Sequence, residues 1–331
     1  MNDPRDPVRR HLDQRFPGAR IERLAGDASS RLFYRVVPAD GPSVVVMDYG
    51  HPFDGETDDM IVGALFRRAG LRVAALLEAS NVNGCLVFED LGDRDLESTI
   101  RAVPPANGAP PPGPLLRAVE LAAEVARRGT PVLAASDRAG GPALDAARFR
   151  FEMEFFVEHY VEGFLGRVGA RERLAPALFD LADRAADGPS MVLCHRDFHS
   201  RNLMLPPDGS LAMVDIQDAR WGPDGYDLAS ILRDAYIDLD EGWVDPLVDR
   251  YLDALDAGGD RHAFRRRLRL VAVQRMIKAL GSFGYLTSHL ATQRYLEPIP
   301  RTVRRLAAWL EPTDELRPLR EAMRREELLS I

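Results

Sequence analysis

The chain has 331 residues, with 46% hydrophobic and 28% charged residues and a formal net charge of −8. That is an ordinary globular composition, long enough for one large two-lobed domain or two smaller ones. The negative balance argues against a nucleic-acid partner gripped through its phosphates. No apolar run is long enough to span a bilayer, and the polar start MNDPRDPVRRHLDQRF lacks a signal-peptide core. Cys85 and Cys194 both stand in apolar, strand-like contexts, so buried reduced thiols in the cytoplasm are the expectation.

In chain order, the first part reads as strands around one helix. Ile21 to Leu24 is a short apolar start, and Gly26 to Ser30 is a turn. Leu32 to Val37 and Ser43 to Asp48 read as strands. Glu56 to Ala69 has helical spacing, with Met60, Ile61, Leu65 and Phe66 on one side. Leu71 to Ala79 is a loop and short strand, and Gly84 to Phe88 another strand, ending in Glu89-Asp90-Leu91-Gly92. Pro104 to Pro114 is too rich in proline and glycine for a packed element, and mobility is expected there. From Leu115 the chain turns helical: Leu144 to Leu165, Arg171 to Ala186, Tyr226 to Tyr236, Trp243 to Leu255, Arg261 to Leu286 and Pro298 to Leu310. The basic run RHAFRRRLRL, Arg261 to Leu270, reads as the solvated face of a helix.

The informative stretch is VLCHRDFHSRNLMLPPDGSLAMVDIQDARWGPDGYDLASIL, Val192 to Leu232. It sets Asp197 in His-Arg-Asp, Asn202 after four intervening residues, and Asp215 after two short apolar strands joined by a Pro207-Asp208-Gly209 turn. An acid, an amide and a second acid in that order suit ATP-dependent phosphoryl transfer. Asp197 would orient a hydroxyl and accept its proton. Asn202 and Asp215 would hold magnesium, which prefers hard oxygen ligands, and the hairpin would bring those two together at one end. Ile216-Gln217, not Phe-Gly, follows Asp215, which points away from a protein kinase. The rival reading is a zinc pair at His195 and His199. It lacks the glutamate that follows the first histidine in zinc proteases, and Asp, Ser and Asn favour a loop here. His195 is read as a scaffold residue of the loop. Lys278 is the only lysine and Ile277 precedes it, so no Walker P-loop exists, nor is there a Gly-x-Gly-x-x-Gly.

HRDFHSRNLM with VDIQDA and GPDGYDLASIL resembles the aminoglycoside phosphotransferase and choline kinase-like superfamily. GDASSRLFYR, VVVMD and VQRMIKALGSFGYL narrow the resemblance to the anomeric sugar kinases of cell-wall recycling. The resemblance implies an α+β, protein-kinase-like two-lobed fold. Residues 1–92 would form a β-rich nucleotide lobe with hinge, and 93–331 a helical lobe with the catalytic loop and substrate site. It implies ATP and Mg2+, a small-molecule substrate that is an N-acetylated amino sugar phosphorylated at C1, no nucleic-acid or membrane partner, and a monomer. Other small hydroxyl compounds, or an inactive nucleotide-binding module, are the alternatives. The superfamily's strand lysine is replaced by Met47, so no glutamate partner on the next helix is assigned. Ser29 and Ser30 would cradle phosphate through backbone N–H groups. Arg31, with Arg35 second, would supply the cation. Glu89 to Leu91 would be the hinge that binds adenine through its backbone. His199, Arg201, Gln217, Asp218 and Asp234 would face the sugar. Asp227 would cap its helix and tie down the catalytic loop.

Overall fold

The computed structural model describes residues 7–24, 31–102, 109–188, 190–256, 258–290, 293–311 and 313–330. Ser29, Ser30 and residues 103–108 of the proline-rich segment lie outside the described residues. The end of that segment starts a helix, Gly113–Glu124, with Pro114 in its first turn, where a missing N–H costs nothing. Contacts divide the chain into two compact units. One is Met1–Arg94 with Met204–Gln217; the other is Asp95–Leu203 with Asp218–Ile331.

The first unit is built on a five-stranded antiparallel sheet. Its strands are β1 (Arg20–Arg23), β2 (Leu32–Val37), β3 (Val44–Asp48), β4 (Leu76–Ser80) and β5 (Cys85–Glu89), in the spatial order β1-β2-β3-β5-β4. The sequence explains that order. VVVMD and CLVFE are the most continuously apolar strands and lie inside, while the edges carry RIER and LLEAS, whose charges discourage further pairing. The register pairs Val44 with Glu89 and Met47 with Leu86. Gly84, at the β4–β5 turn, has φ of +70°, and a Cβ there would lie 2.1 Å from the His51 carbonyl oxygen, so only glycine fits. A helix absent from the sequence reading, Pro7–Arg15, inserts Val8 and Leu12 into a cluster with Val36, Val44, Val46, Cys85 and Val87. Two apolar residues four apart among charges are a weak signal on their own.

The hairpin after the catalytic loop is shorter than expected, with strands Leu203–Met204 and Ala212–Met213. Its return strand joins the first unit through a parallel bridge between Val73 and Met213 and a 2.9 Å bond from the Met213 N–H to the Arg72 carbonyl.

The second unit is mainly helical. Ala146–Phe156 continues as a π-helical stretch, Val157–Phe164, and both pack on the long helix Arg261–Leu290. Inside this packing, buried Gln274 donates through its amide nitrogen to buried Glu152 at 2.7 Å. The basic run does not present a bare solvated face. Arg261 and Arg265 pair with Asp249 of the neighbouring helix Val244–Leu255, and Arg267 pairs with Asp224. A strand pair, Met191–Cys194 against Arg220–Pro223, brackets the catalytic loop at its base. A further helix, Arg317–Arg325, lies beyond the last one expected.

Gly281 and Gly284 allow the long helix to touch its partner backbone to backbone. A Cβ at Gly284 would lie 2.6 Å from the His159 carbonyl oxygen and 2.7 Å from the Tyr160 Cα. Alanine is the better helix former by about 1 kcal/mol, yet overpacking here outweighs that gain. Gly284→Ala should lower the urea-unfolding free energy by about 1–3 kcal/mol. An unchanged or raised value would contradict the contact.

Candidate active site

The strand Met191–Cys194 delivers the chain into the catalytic loop. There the buried Asp227 carboxylate accepts the His195 N–H at 2.7 Å and the Arg196 N–H at 3.1 Å. Arg196 is held at φ +80°, a left-handed conformation rare for a side chain of its size. Burial pushes the Asp227 carboxyl up, and His195 and the two N–H bonds oppose it. Asp227 does tie down the loop, but it does not cap its helix. Gly225 is at the N-cap and Asp227 sits inside the first turn. The His195 ring is fully buried, edge-on to Phe198, which leaves it a scaffold residue. Among the described residues, no three of His, Cys, Asp and Glu are grouped to hold a metal, so the zinc alternative gains nothing.

Asp197 follows, in a cationic setting. Lys278 Nζ lies 3.0 Å from its Oδ1, and Arg196 Nη1 lies 3.9 Å from its Oδ2. Burial works to raise its pKa, but Lys278, Arg196, Arg275 and His199 outweigh it and hold the carboxyl well below the usual carboxylate range. Asn202 Nδ2 donates to the Asp197 carbonyl at 2.9 Å, which turns its Oδ1 away from that bond. His199 approaches Asn202 Nδ2 at 3.4 Å and meets the Tyr236 ring edge-on.

Two residues expected to face the sugar are engaged by other groups of the protein. Asp234 is 2% exposed, and its carboxylate accepts the Ser200 N–H at 2.7 Å and the Tyr236 N–H at 2.8 Å. A carboxylate so enclosed has little room for a ligand hydroxyl. Arg201 grips Glu97 at 2.5 Å and stacks 3.7 Å from the Tyr236 ring centroid. Asp218 is partly exposed and engaged by Arg220 at 2.7 Å and Arg196 at 3.1 Å.

The first unit carries Asp215, which has φ +60° and is 47% exposed. Gln217 turns its amide toward Asp215. Its Nε2 donates to Asp215 Oδ1 at 2.9 Å. Arg31 Nη2 lies 4.0 Å from the same oxygen. Arg31 also pairs with Asp59 at 2.7 Å and reaches the Met47 sulfur at 3.7 Å. Tyr49 donates to the same Asp59 oxygen at 2.5 Å, and burial together with that bond pushes its pKa up to about 12. Burial opposes the charge on Arg31, but Asp59, Tyr49 and Asp215 overcome it and keep the guanidinium firmly protonated. Arg35 is engaged elsewhere, forking onto Asp90 at 2.7 and 3.0 Å.

The hinge segment is partly committed. The Glu89 N–H donates to the Ala75 carbonyl at 2.9 Å, and its carboxylate takes both arms of Arg72. Glu89 therefore cannot offer its N–H to a base, whereas Leu91 lies beyond the last paired residue of the ladder.

Three neighbours of these sites escaped the sequence reading. Asp59 was passed over because no partner was sought for a missing lysine. Arg275 donates to the Arg196 carbonyl at 2.9 Å from a helix far along the chain. Lys278 had one sequence signal, its being the chain's single lysine.

With this geometry in hand, comparison with known proteins is informative. Residues 20–268 match the model of the phosphotransferase enzyme family. A Pseudomonas aeruginosa protein named N-acetylmuramate/N-acetylglucosamine kinase is 31% identical over 93% of this chain and 88% of its own length. A Neisseria meningitidis protein of the same name is 31% identical over 89% and 87%. Among solved structures, the amicoumacin kinase hAmiN has a TM-score of 0.63 at 12% identity, covering 96% of this chain and 94% of its own. A choline/ethanolamine kinase family protein from Mesorhizobium loti has a TM-score of 0.61 at 15% identity, covering 96% and 98%. These neighbours agree with the two-lobed kinase-like fold, a β-sheet lobe and a helical lobe. By the extent of the family match and of the curated relatives, the chain belongs to the phosphotransferase enzyme family.

Proposed function

We propose that this phosphotransferase is an ATP- and magnesium-dependent sugar kinase that phosphorylates the anomeric hydroxyl of N-acetylmuramate or N-acetylglucosamine. The observation that carries the chemistry is the Asp197 carboxylate, held ionised beside Lys278, Arg196 and Arg275 in a loop pinned by Asp227. The substrate class rests on the names of relatives alignable over nearly the whole chain.

In this reading Asp197 accepts a hydrogen bond from the C1 hydroxyl and aims it at the γ-phosphorus. As the new O–P bond forms and the bond to the ADP oxygen breaks, the hydroxyl proton passes to the carboxylate. A carboxylate whose pKa its cationic neighbours lower is a weaker base than a free one. That suits a loose transition state, in which the nucleophile needs little activation. It also suits a hemiacetal hydroxyl, which is more acidic than an ordinary alcohol. Each donor by itself has the chemistry magnesium prefers: Asp215 presents a carboxylate from a left-handed turn, and Asn202 has its amide nitrogen committed and its oxygen turned away. Bound there, the ion would neutralise phosphate charge. Arg31, anchored by Asp59, would add the cation that Met47 cannot supply. That substitution weighs against the inactive-module alternative, because the missing lysine has a stand-in. No helix among the described residues is long and apolar enough to cross a membrane, and dependence on ATP favours a cytoplasmic enzyme.

Three outcomes test this reading. Asp197→Asn should keep nucleotide binding and lose about 10²–10⁴-fold in kcat, the usual worth of an oriented proton acceptor. Near-normal turnover by the folded variant would refute its role. In thermal-shift titration, Mg-ATP should stabilise Asp215→Ala far less than the wild type, with Asn202→Ala between them, because a carboxylate brings charge as well as an oxygen. Equal shifts would remove Asp215 from the metal site. Finally, free N-acetylmuramate or N-acetylglucosamine should turn over and the C1 methyl glycoside should not. A kinase acting on another hydroxyl would accept the glycoside.

A further inference from the structure

The chain holds 43 lysines and arginines, and Lys278 alone is lysine. Where this protein fixes a carboxylate, it commonly uses an arginine fork that takes both oxygens. Arg35 holds Asp90 Oδ2 at 2.7 Å and Oδ1 at 3.0 Å. Arg173 holds Glu326 Oε1 at 2.5 Å and Oε2 at 2.9 Å. Arg72 does the same to Glu89 at 2.7 and 2.5 Å. Asp197 is treated differently. The Lys278 ammonium bonds Oδ1 at 3.0 Å, while the Arg196 guanidinium stops 3.9 Å from Oδ2, too far for a hydrogen bond. Among the described residues, no hydrogen bond reaches Oδ2.

The helix that carries Lys278 is set against the loop from two sides. One turn earlier, Arg275 donates to the Arg196 carbonyl at 2.9 Å and lies 4.5 Å over the Tyr226 ring. Just beyond Lys278, a Cβ at Gly281 would stand 2.9 Å from the Phe156 Cα, so the helix is seated backbone to backbone. The ammonium therefore meets Asp197 from a fixed direction.

We propose that Lys278 is a positioning residue that engages one oxygen of Asp197 and so reserves the other for the acceptor hydroxyl, a task arginine cannot perform. This rests on the reading of Asp197 as the hydroxyl's acceptor. An ammonium is a compact point charge with independent donors. A guanidinium presents a planar fork matched to both carboxylate oxygens. In a chain that otherwise uses arginine throughout, lysine here answers a geometric demand that charge alone does not set.

The test is steady-state kinetics of Lys278→Arg, Lys278→Cys and Asp197→Asn with N-acetylglucosamine and Mg-ATP, with the Mg-ATP thermal shift confirming each fold. Lys278→Arg keeps the charge, yet it should lose about 100-fold in kcat, the scale of an acceptor no longer oriented, with KM for ATP unchanged. Lys278→Cys should be similarly slow. Alkylation with 2-bromoethylamine should then restore turnover by rebuilding a lysine-length ammonium. Cys85 and Cys194 are buried, so the introduced thiol is the one that reacts. Wild-type kcat in Lys278→Arg would overturn the proposal. If Lys278→Arg fails to fold, the alkylation arm decides: no recovery in Lys278→Cys after alkylation verified by mass would also overturn it. Wild-type turnover in Asp197→Asn would instead sink the underlying reading of Asp197, and the proposal with it. An inactive Asp197→Asn beside a fully active Lys278→Arg would leave that reading standing and reject only the role of Lys278.

Discussion

Two backbone N–H bonds to one buried carboxylate set the geometry of the catalytic loop. Asp227 receives the N–H groups of His195 and Arg196, and the second of these residues sits at φ +80°. A left-handed, non-glycine residue costs of order 1 kcal/mol or more and persists only where its surroundings enforce it. Enforcing it has a consequence one residue later: Asp197 is turned toward Lys278. Asn202 closes the loop by donating to the Asp197 carbonyl, and Asp234 holds the Ser200 N–H from below. Three acidic or amide side chains thus bond backbone groups of the same loop, with no ligand needed to complete those bonds. That is the preorganisation on which phosphoryl transfer depends, since its catalysis is mostly positioning and charge.

The second theme is relocated charge. Beside Met47 on β3 stands Arg31, just before β2, paired with Asp59 in the helix Asp58–Arg68; in the proposed function it supplies the cation for the nucleotide. The Tyr49 hydroxyl locks the same carboxylate. The pair found here is an arginine with an aspartate. One nitrogen of the Arg31 fork bonds Asp59 while the other lies 4.0 Å from Asp215 Oδ1.

Much of this was legible in the sequence, for physical reasons that differ from element to element. Leu32–Val37, Arg171–Ala186 and Pro298–Leu310 match their expected spans, because strong periodicity and clear turn chemistry bound them. The acid–amide–acid order drew attention to the loop from His195 to Asn202, since few other uses call for that spacing. The Pro7–Arg15 helix was hidden, with only Val8 and Leu12 to mark it. For Asp234 and Arg201, sequence reports a polar side chain without its burial or its partners. Asp234 proved enclosed by its own loop, and Arg201 is held by Glu97 and Tyr236. Arg275 and Lys278 were out of reach for a different reason. They arrive at the loop from a helix far along the chain, seated by the close packing of Gly281 and Gly284 and by the Arg275 bond to the Arg196 carbonyl.

The central claim is that a rigid, weakly basic carboxylate directs phosphate onto an anomeric oxygen. The most direct measurement is proton-coupled phosphorus NMR of the product made from N-acetylglucosamine and Mg-ATP. The account predicts a phosphomonoester signal split into a doublet by the single proton on C1. A triplet, from the two protons on C6, would contradict it.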